Sequence, residues 1–426
     1  MNSRFKLLLY LICGLTDFSA FVVIFAVSRG LAEGKAESWY LGVVGAGLSL
    51  SAGVGSILAG WLSHRFDGRV VFVSGAATIG VSIVACGLGN PATAWFLPGY
   101  WLLGIGLGCT YPPLVGWLNQ GVNAHANRHG VSRTLVLYCV AWNAGMMCGQ
   151  LTAGSLFSIG TTWTYGTAFL AATLNIILTI AAVRRVVPLS SEVSDETPAE
   201  YEAAELANVF KRLSWIANLG GMFGGSMVIH LLPDLAVTIG IAADDHGKLL
   251  ASWRAVIIVT YLVMHRVAFW HYSFSTSLTS QILAAIGLIM IAQADSAVPL
   301  LIGLTLLGQL VGFNYFSGLF YSTAGSSHER RALAAGIHEA TLATGMAVGT
   351  IVGGVLGTLV NQRVPYMMAA AVLLVMSVAQ SVAWWSWVRS LRQVRHATAV
   401  EPQTTICDTE SDADRLFHEP THEESA

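Results

Sequence analysis

A chain of 426 residues that is 54% hydrophobic and only 11% charged cannot clothe a soluble multidomain surface, which takes nearer a quarter of its residues charged. Lipid must therefore face much of it. A formal net charge of −2 gives a nucleic-acid partner no electrostatic footing, so none is expected.

The first element opens with Arg4-Phe5-Lys6 and stays apolar to about Val27, longer than the hydrophobic stretch of a signal peptide. A retained membrane helix is expected there. Crossing the hydrocarbon takes about 20 mostly apolar residues in a helix, because each span must satisfy its own backbone hydrogen bonds. By that measure the spans predicted in chain order are 7–28, 39–62, 70–88, 94–118, 134–158 and 163–183, then 213–238, 248–268, 277–293, 298–321, 332–360 and 365–388. The eighth is the least regular, since Arg254, His265 and Arg266 interrupt or bound it.

These spans predict an all-α integral membrane protein of twelve helices in two bundles of six, residues 1–186 and 213–390. Between them, residues 187–212 carry Ser190, Ser191, Glu192, Asp195, Glu196 and Glu200 and read as a polar linker. Residues 391–426 end acidic and poor in apolar side chains, the composition of an unstructured tail. With the amino terminus in the cytoplasm, 17 lysines and arginines fall inside and four outside. That asymmetry predicts cytoplasmic linker and termini in a cell (inner or plasma) membrane.

The halves echo each other. Gly145, Gly149 and Gly154 in span five recur as Gly345, Gly349 and Gly354 in span eleven, 200 residues on. His64-Arg65 recurs as His265-Arg266, and Gly104, Gly108 and Tyr111 recur as Gly308, Gly312 and Tyr315. Three ordered matches at nearly one offset predict a parallel internal repeat.

With this pattern the chain resembles the major facilitator superfamily over roughly residues 7–390. The loop after span two, Gly60-Trp61-Leu62-Ser63-His64-Arg65-Phe66-Asp67-Gly68-Arg69, is similar to that family's G-x-x-x-D-R/K-x-G-R/K-R/K motif. The resemblance implies a gating loop built from Gly60, His64, Arg65, Asp67 and Arg69. His64 stands in place of the acid that latches this loop across the two halves, with Asp67 the nearest carboxylate to substitute. Gly349-Thr350-Ile351-Val352-Gly353-Gly354 is similar to the G-P-x-x-G-G pattern of the family's antiporters, without its proline. Close packing of small residues is the stronger reading of that pattern.

An ionisable side chain inside a span costs roughly 2.5–3.5 kcal/mol on insertion scales, so each one needs a cavity or a partner. Those residues are Asp17, His230, Asp234, Arg254, His338 and Glu339. Asp17 suits a proton, a cationic group of a substrate, or an ion pair with Arg254. Arg254 suits an anionic substrate through a two-pronged grip. Glu339 suits proton coupling or a gate contact with Arg65 or Arg69. His230 and Asp234, one turn apart beside Pro233, read as a cap or loop. Asn314 and Tyr315, with Asn218, Tyr111, Trp142 and Asn143, supply neutral hydrogen-bonding groups, and the first two sit in a span that the resemblance places against the central cavity.

Substrate-binding or coupling roles are accordingly expected of Asp17, Arg254, Asn314, Tyr315, His338 and Glu339. The six cysteines, Cys13, Cys86, Cys109, Cys139, Cys148 and Cys407, form no CxxC pair, and neither a metal nor another cofactor is expected. No nucleotide-binding Gly-rich lysine loop appears, and no nucleophile or metal constellation marks an enzyme. The expectation is a monomeric secondary transporter for a small solute, leaning to an organic anion, driven by protons or exchange. The alternative is a sensor or scaffold that keeps the fold without transport.

Overall fold

The structure is a computed structural model that describes residues 3–119, 128–186, 198–324, 326 and 331–400. Among the described residues every regular element is a helix: α1 (Ser3–Glu33), α2 (Ser38–Arg65), α3 (Gly68–Leu88), α4 (Phe96–Asn119), α5 (Arg128–Ile159), α6 (Thr161–Val183), α7 (Pro198–His230), α8 (Leu232–Thr238), α9 (Ala243–Arg266), α10 (Phe274–Gln293), α11 (Ala297–Ala324), α12 (Arg331–Leu359) and α13 (Val364–Val400). Short connections force consecutive long helices to run antiparallel. Ten described helices are long and apolar enough to cross a membrane. The bent pair α7–α8 makes an eleventh, turned by 48° where Pro233 follows the break at Leu231. A proline cannot donate to the preceding turn, so the helix bends there. The remaining long helix, α5, is interrupted by Asn143, Gln150 and Thr152 and falls short on composition alone.

Two expected boundaries moved. The linker expected to run to residue 212 is helical from Pro198. Pro198 opens that helix with its φ already set, and Ala199, Glu200, Glu202, Ala203, Ala204 and Glu205 are good helix formers. At the other end, α13 continues to Val400, ten residues into the expected tail. The rest of that tail, with Cys407, lies outside the described residues, as do 187–197 of the linker.

Helices α1–α6 pack into one half; α7 and α10–α13, with α9 on α11, form the other. The repeated glycines have repeated partners. A β-carbon on Gly145 would stand 2.1 Å from the Gly14 carbonyl of α1, and one on Gly345 would stand 2.6 Å from the Leu219 carbonyl of α7. Gly108 meets Ala52 of α2, and its counterpart Gly312 meets Ile257 of α9. Spacing of small residues has thus set the same backbone approach twice. Large apolar side chains such as Leu88, Leu170, Val375 and Val378 stay exposed on the outer surface, where lipid rather than water covers them.

The halves meet along two seams, α2 on α12 and α5 on α9. The face holding the first residues of α1, the end of α6 and the start of α7 is here called the terminal face, its opposite the far face. At the far face the seams are shut. Ser38 donates to Asp234, the Trp39 amide donates to Thr358 Oγ1 at 2.9 Å, Ser155 donates to Asp244 Oδ1 at 2.6 Å, and Arg29 donates to the Ile241 carbonyl at 2.9 Å. Gly42 and Gly354 are in backbone contact, as are Gly154 and Gly247. Towards the terminal face α2 and α12 diverge. A β-carbon on Gly53 would meet Ala343 at an ordinary 3.4 Å, and the same antiparallel register puts Gly60 opposite Gly336, where a β-carbon on either would meet nothing within 4 Å.

Candidate functional site

Halfway between the faces, buried polar side chains from both halves converge. Asp17, near the middle of α1, is wholly buried. Its Oδ1 accepts from the Tyr111 hydroxyl of α4 at 2.6 Å, and its Oδ2 has no partner among the described residues. Thr16, its neighbour, turns instead into the first half, where its hydroxyl accepts from Asn175 of α6 at 2.9 Å. A carboxylate with one oxygen unanswered in a dry interior is costly, which marks Asp17 as incomplete without a further group.

Arg254 of α9 is 3% exposed. Its Nη1 donates to Asn143 Oδ1 of α5 at 3.5 Å, while Nε and Nη2 have no partner. The guanidinium lies 4.3 Å from the Trp253 ring and 5.0 Å from the Phe21 ring of the other half, so both aromatic faces favour its charge. Asn143 Nδ2 donates in turn to the Tyr261 hydroxyl at 3.2 Å. The ion pair between Asp17 and Arg254, one of the alternatives their sequence positions left open, is not formed: among the described residues no carboxylate lies within 4.0 Å of Arg254.

Nearer the terminal face, the Tyr315 hydroxyl of α11 donates to Glu339 Oε1 of α12 at 3.2 Å, and the Tyr315 ring sits 5.0 Å from Trp142 of the first half. Tyr315 is buried but Glu339 is exposed, where the seam between α2 and α12 has opened. His338, beside it, turns inward and its Nδ1 meets Asn218 Nδ2 of α7 at 3.2 Å.

The structure therefore brings Asp17, Arg254, Tyr315 and Glu339 to the interface of the halves, keeps His338 inside the second half against Asn218 and Gly318, and moves Asn314 away. One residue on from Tyr315 is a 100° turn of the helix. Asn314 accordingly faces the interior of the second half, where Nδ2 donates to the Ala217 carbonyl at 2.9 Å. It lines a small cavity there with Ser214, Ser277, Ser317 and Gln380.

The expected gate contacts are not made. Glu339 binds Tyr315 rather than Arg65 or Arg69. Asp67 caps α3, accepting from the Arg69 amide at 2.9 Å, and the Arg69 guanidinium donates to the Val186 carbonyl of the same half. Arg65 lies over Trp61 at 5.5 Å. The His64 side chain lies outside the described residues. His230 and Asp234, expected as a cap or loop, lie in the far-face closure, the first fully buried against Gly45 and the second bound to Ser38. Among the described residues no three His, Cys, Asp or Glu side chains group to hold a metal. Sequence reasoning missed Phe21 and Tyr261. Their signal was spacing: Phe21 is one turn from Asp17 and Tyr261 two turns from Arg254, so each pair shares a helix face.

A family model of the major facilitator superfamily matches residues 7–328. In all, 296 solved chains resemble the fold, although no curated protein sequence matches the chain. The POT family transporter PepTSo superposes with a TM-score of 0.73 at 9% identity, over 91% of this chain and 99% of its own. The human organic anion transporter MFSD10 (TETRAN) gives 0.65 at 15% identity, over 89% and 100%. The nucleoside transporter NupG gives 0.65 at 14%, over 90% and 99%.

Proposed function

The chain belongs to the major facilitator superfamily, and from that premise we propose that it is a secondary transporter moving a small organic solute with an anionic group through the site between its halves. The single observation that supports this best is the pair Asp17 and Arg254, both buried at mid-membrane depth, each with polar atoms left unanswered and neither neutralising the other at contact distance. A fold kept only as a scaffold has no reason to hold such groups, because each costs stability.

Two seams shut at the far face, with the α2–α12 seam divergent at the terminal face, support alternating access, with the halves rocking about the mid-depth site. The 17-to-4 split of lysines and arginines between the two sides in the sequence supports placing the terminal face in the cytoplasm, so the conformation is inward-open in this reading. The two rocking units are residues 1–186 and 213–390, joined through the linker. Energy comes from a proton, for which Asp17 and Glu339 are the carboxylates to hand, or from an exchanged solute.

The test is uptake and counterflow in proteoliposomes with an imposed proton gradient. Asp17→Asn and Arg254→Ala are each expected to lower uptake at least tenfold while the protein still inserts and elutes as a single species. Wild-type uptake in both variants would remove the pair from the site, and failure of the intact protein to exchange any solute would favour a non-transporting role.

A further inference from the structure

We propose that the solute is a zwitterion, a small molecule carrying both a carboxylate and an ammonium group, gripped by Arg254 of one half and Asp17 of the other. This rests on the transport reading above and narrows its solute.

Arg254 commits only Nη1 to the protein, on Asn143, and leaves Nε and Nη2 free. Those two nitrogens form one edge of the guanidinium, the edge that holds a carboxylate by two parallel hydrogen bonds. The Phe21 and Trp253 rings lie against the ion without supplying a hydrogen-bond acceptor, so the Nε–Nη2 edge is left for a ligand. On the other half, Tyr111 holds Asp17 Oδ1 and leaves Oδ2 as an acceptor.

The two free ends are close. Phe21 lies one turn from Asp17, about 6 Å along α1, and the Arg254 guanidinium is 5.0 Å from the Phe21 ring. The acid and the base interact electrostatically without touching, an arrangement that two charged groups a few carbons apart can span with a hydrogen bond of about 2.8 Å at each end. A plain anion answers Arg254 and sets a second negative charge beside Asp17; a plain amine does the reverse. A zwitterion answers both, and by touching both halves it ties occupancy to their relative position. The competing solution is a plain carboxylate taken up with a proton on Asp17, and the test separates the two.

The full-length protein in nanodiscs and in proteoliposomes is offered glycine, β-alanine, γ-aminobutyrate and L-phenylalanine. Each is compared with its desamino carboxylate and its decarboxylated amine, by thermal stabilisation and by counterflow. At least one zwitterion is expected to act, with both of its derivatives at least tenfold weaker. Asp17→Asn should then shift preference toward the desamino carboxylate, and Arg254→Gln toward the amine. A variant that had merely misfolded would lose all three. A desamino carboxylate equal to its parent in the wild type overturns the zwitterion in favour of the protonated-Asp17 alternative, and an amine equal to its parent overturns it in favour of a cation. Counterflow of some other solute with no response to any zwitterion overturns the inference and leaves transport standing; no counterflow of any solute counts against both.

Discussion

Asp17 and Glu339 are both carboxylates that accept from a tyrosine, yet they hold different positions energetically. Among the described residues the Tyr111 hydroxyl is the sole hydrogen-bond partner of a wholly buried carboxylate, and a hydrogen bond to a charged group is worth about 1.5–3 kcal/mol. Tyr111→Phe is therefore expected to destabilise the protein by that order, read from chemical or thermal unfolding in nanodiscs. Tyr315→Phe removes the donor from an exposed Glu339, where water replaces it, and should cost less than about 1 kcal/mol. Equal losses would mean that the two carboxylates share one environment. The acids and Arg254 were legible in the sequence because an ionisable group within an apolar span stands out. Phe21 and Tyr261 were not, because an aromatic residue in such a span is the ordinary case. Asn314 was misplaced for a third reason: composition does not tell which side of a helix faces the cavity.

Helix pairing carries the next level. Gly354 receives the Ser38 carbonyl and the Gly42 backbone at the far face, whereas Gly336 on the same helix faces open space. A side chain at Gly354 must push α2 away, while one at Gly336 displaces nothing. Gly354→Leu is expected to cost about 1–3 kcal/mol and to raise several-fold the labelling of a cysteine at Ser38 by a membrane-impermeant maleimide. Gly336→Ala should leave both measurements unchanged. If the two substitutions behaved alike, the close approach of α2 and α12 at the far face would be wrong. The repeat foretold these contacts, since glycines at one offset met counterpart helices twice. It did not foretell that α7 begins at Pro198 or that α13 runs to Val400. Polar and charged residues there resemble loop composition, while their helix propensity is good.

For the molecule as a whole, the divergence of one seam along its length is the feature with mechanical meaning. Cysteines at Gly60 and Gly336, in a background stripped of native cysteines, are expected to resist direct oxidative cross-linking at rest and to cross-link faster once a counterflow solute drives the cycle. Cysteines at Gly53 and Ala343, whose β-carbons would stand 3.4 Å apart, should cross-link at similar rates in both conditions. A solute-independent rate at Gly60 and Gly336 would argue that the halves do not rock. Topology at this scale, twelve long helices in two related halves, was readable beforehand because lipid permits so few backbone solutions.

Composition and periodicity alone determined the membrane class, the helix order, the internal duplication and the presence of costly charges at mid-depth. Those properties are local, set by the transfer of each segment from water to hydrocarbon. Only the folded chain decided that Asp17 and Arg254 remain unpaired, that Glu339 turns to Tyr315 rather than to the loop arginines, and that α2 and α12 close at one face and part at the other. Such facts depend on helix rotation and on contacts between residues more than a hundred positions apart, which no single segment encodes.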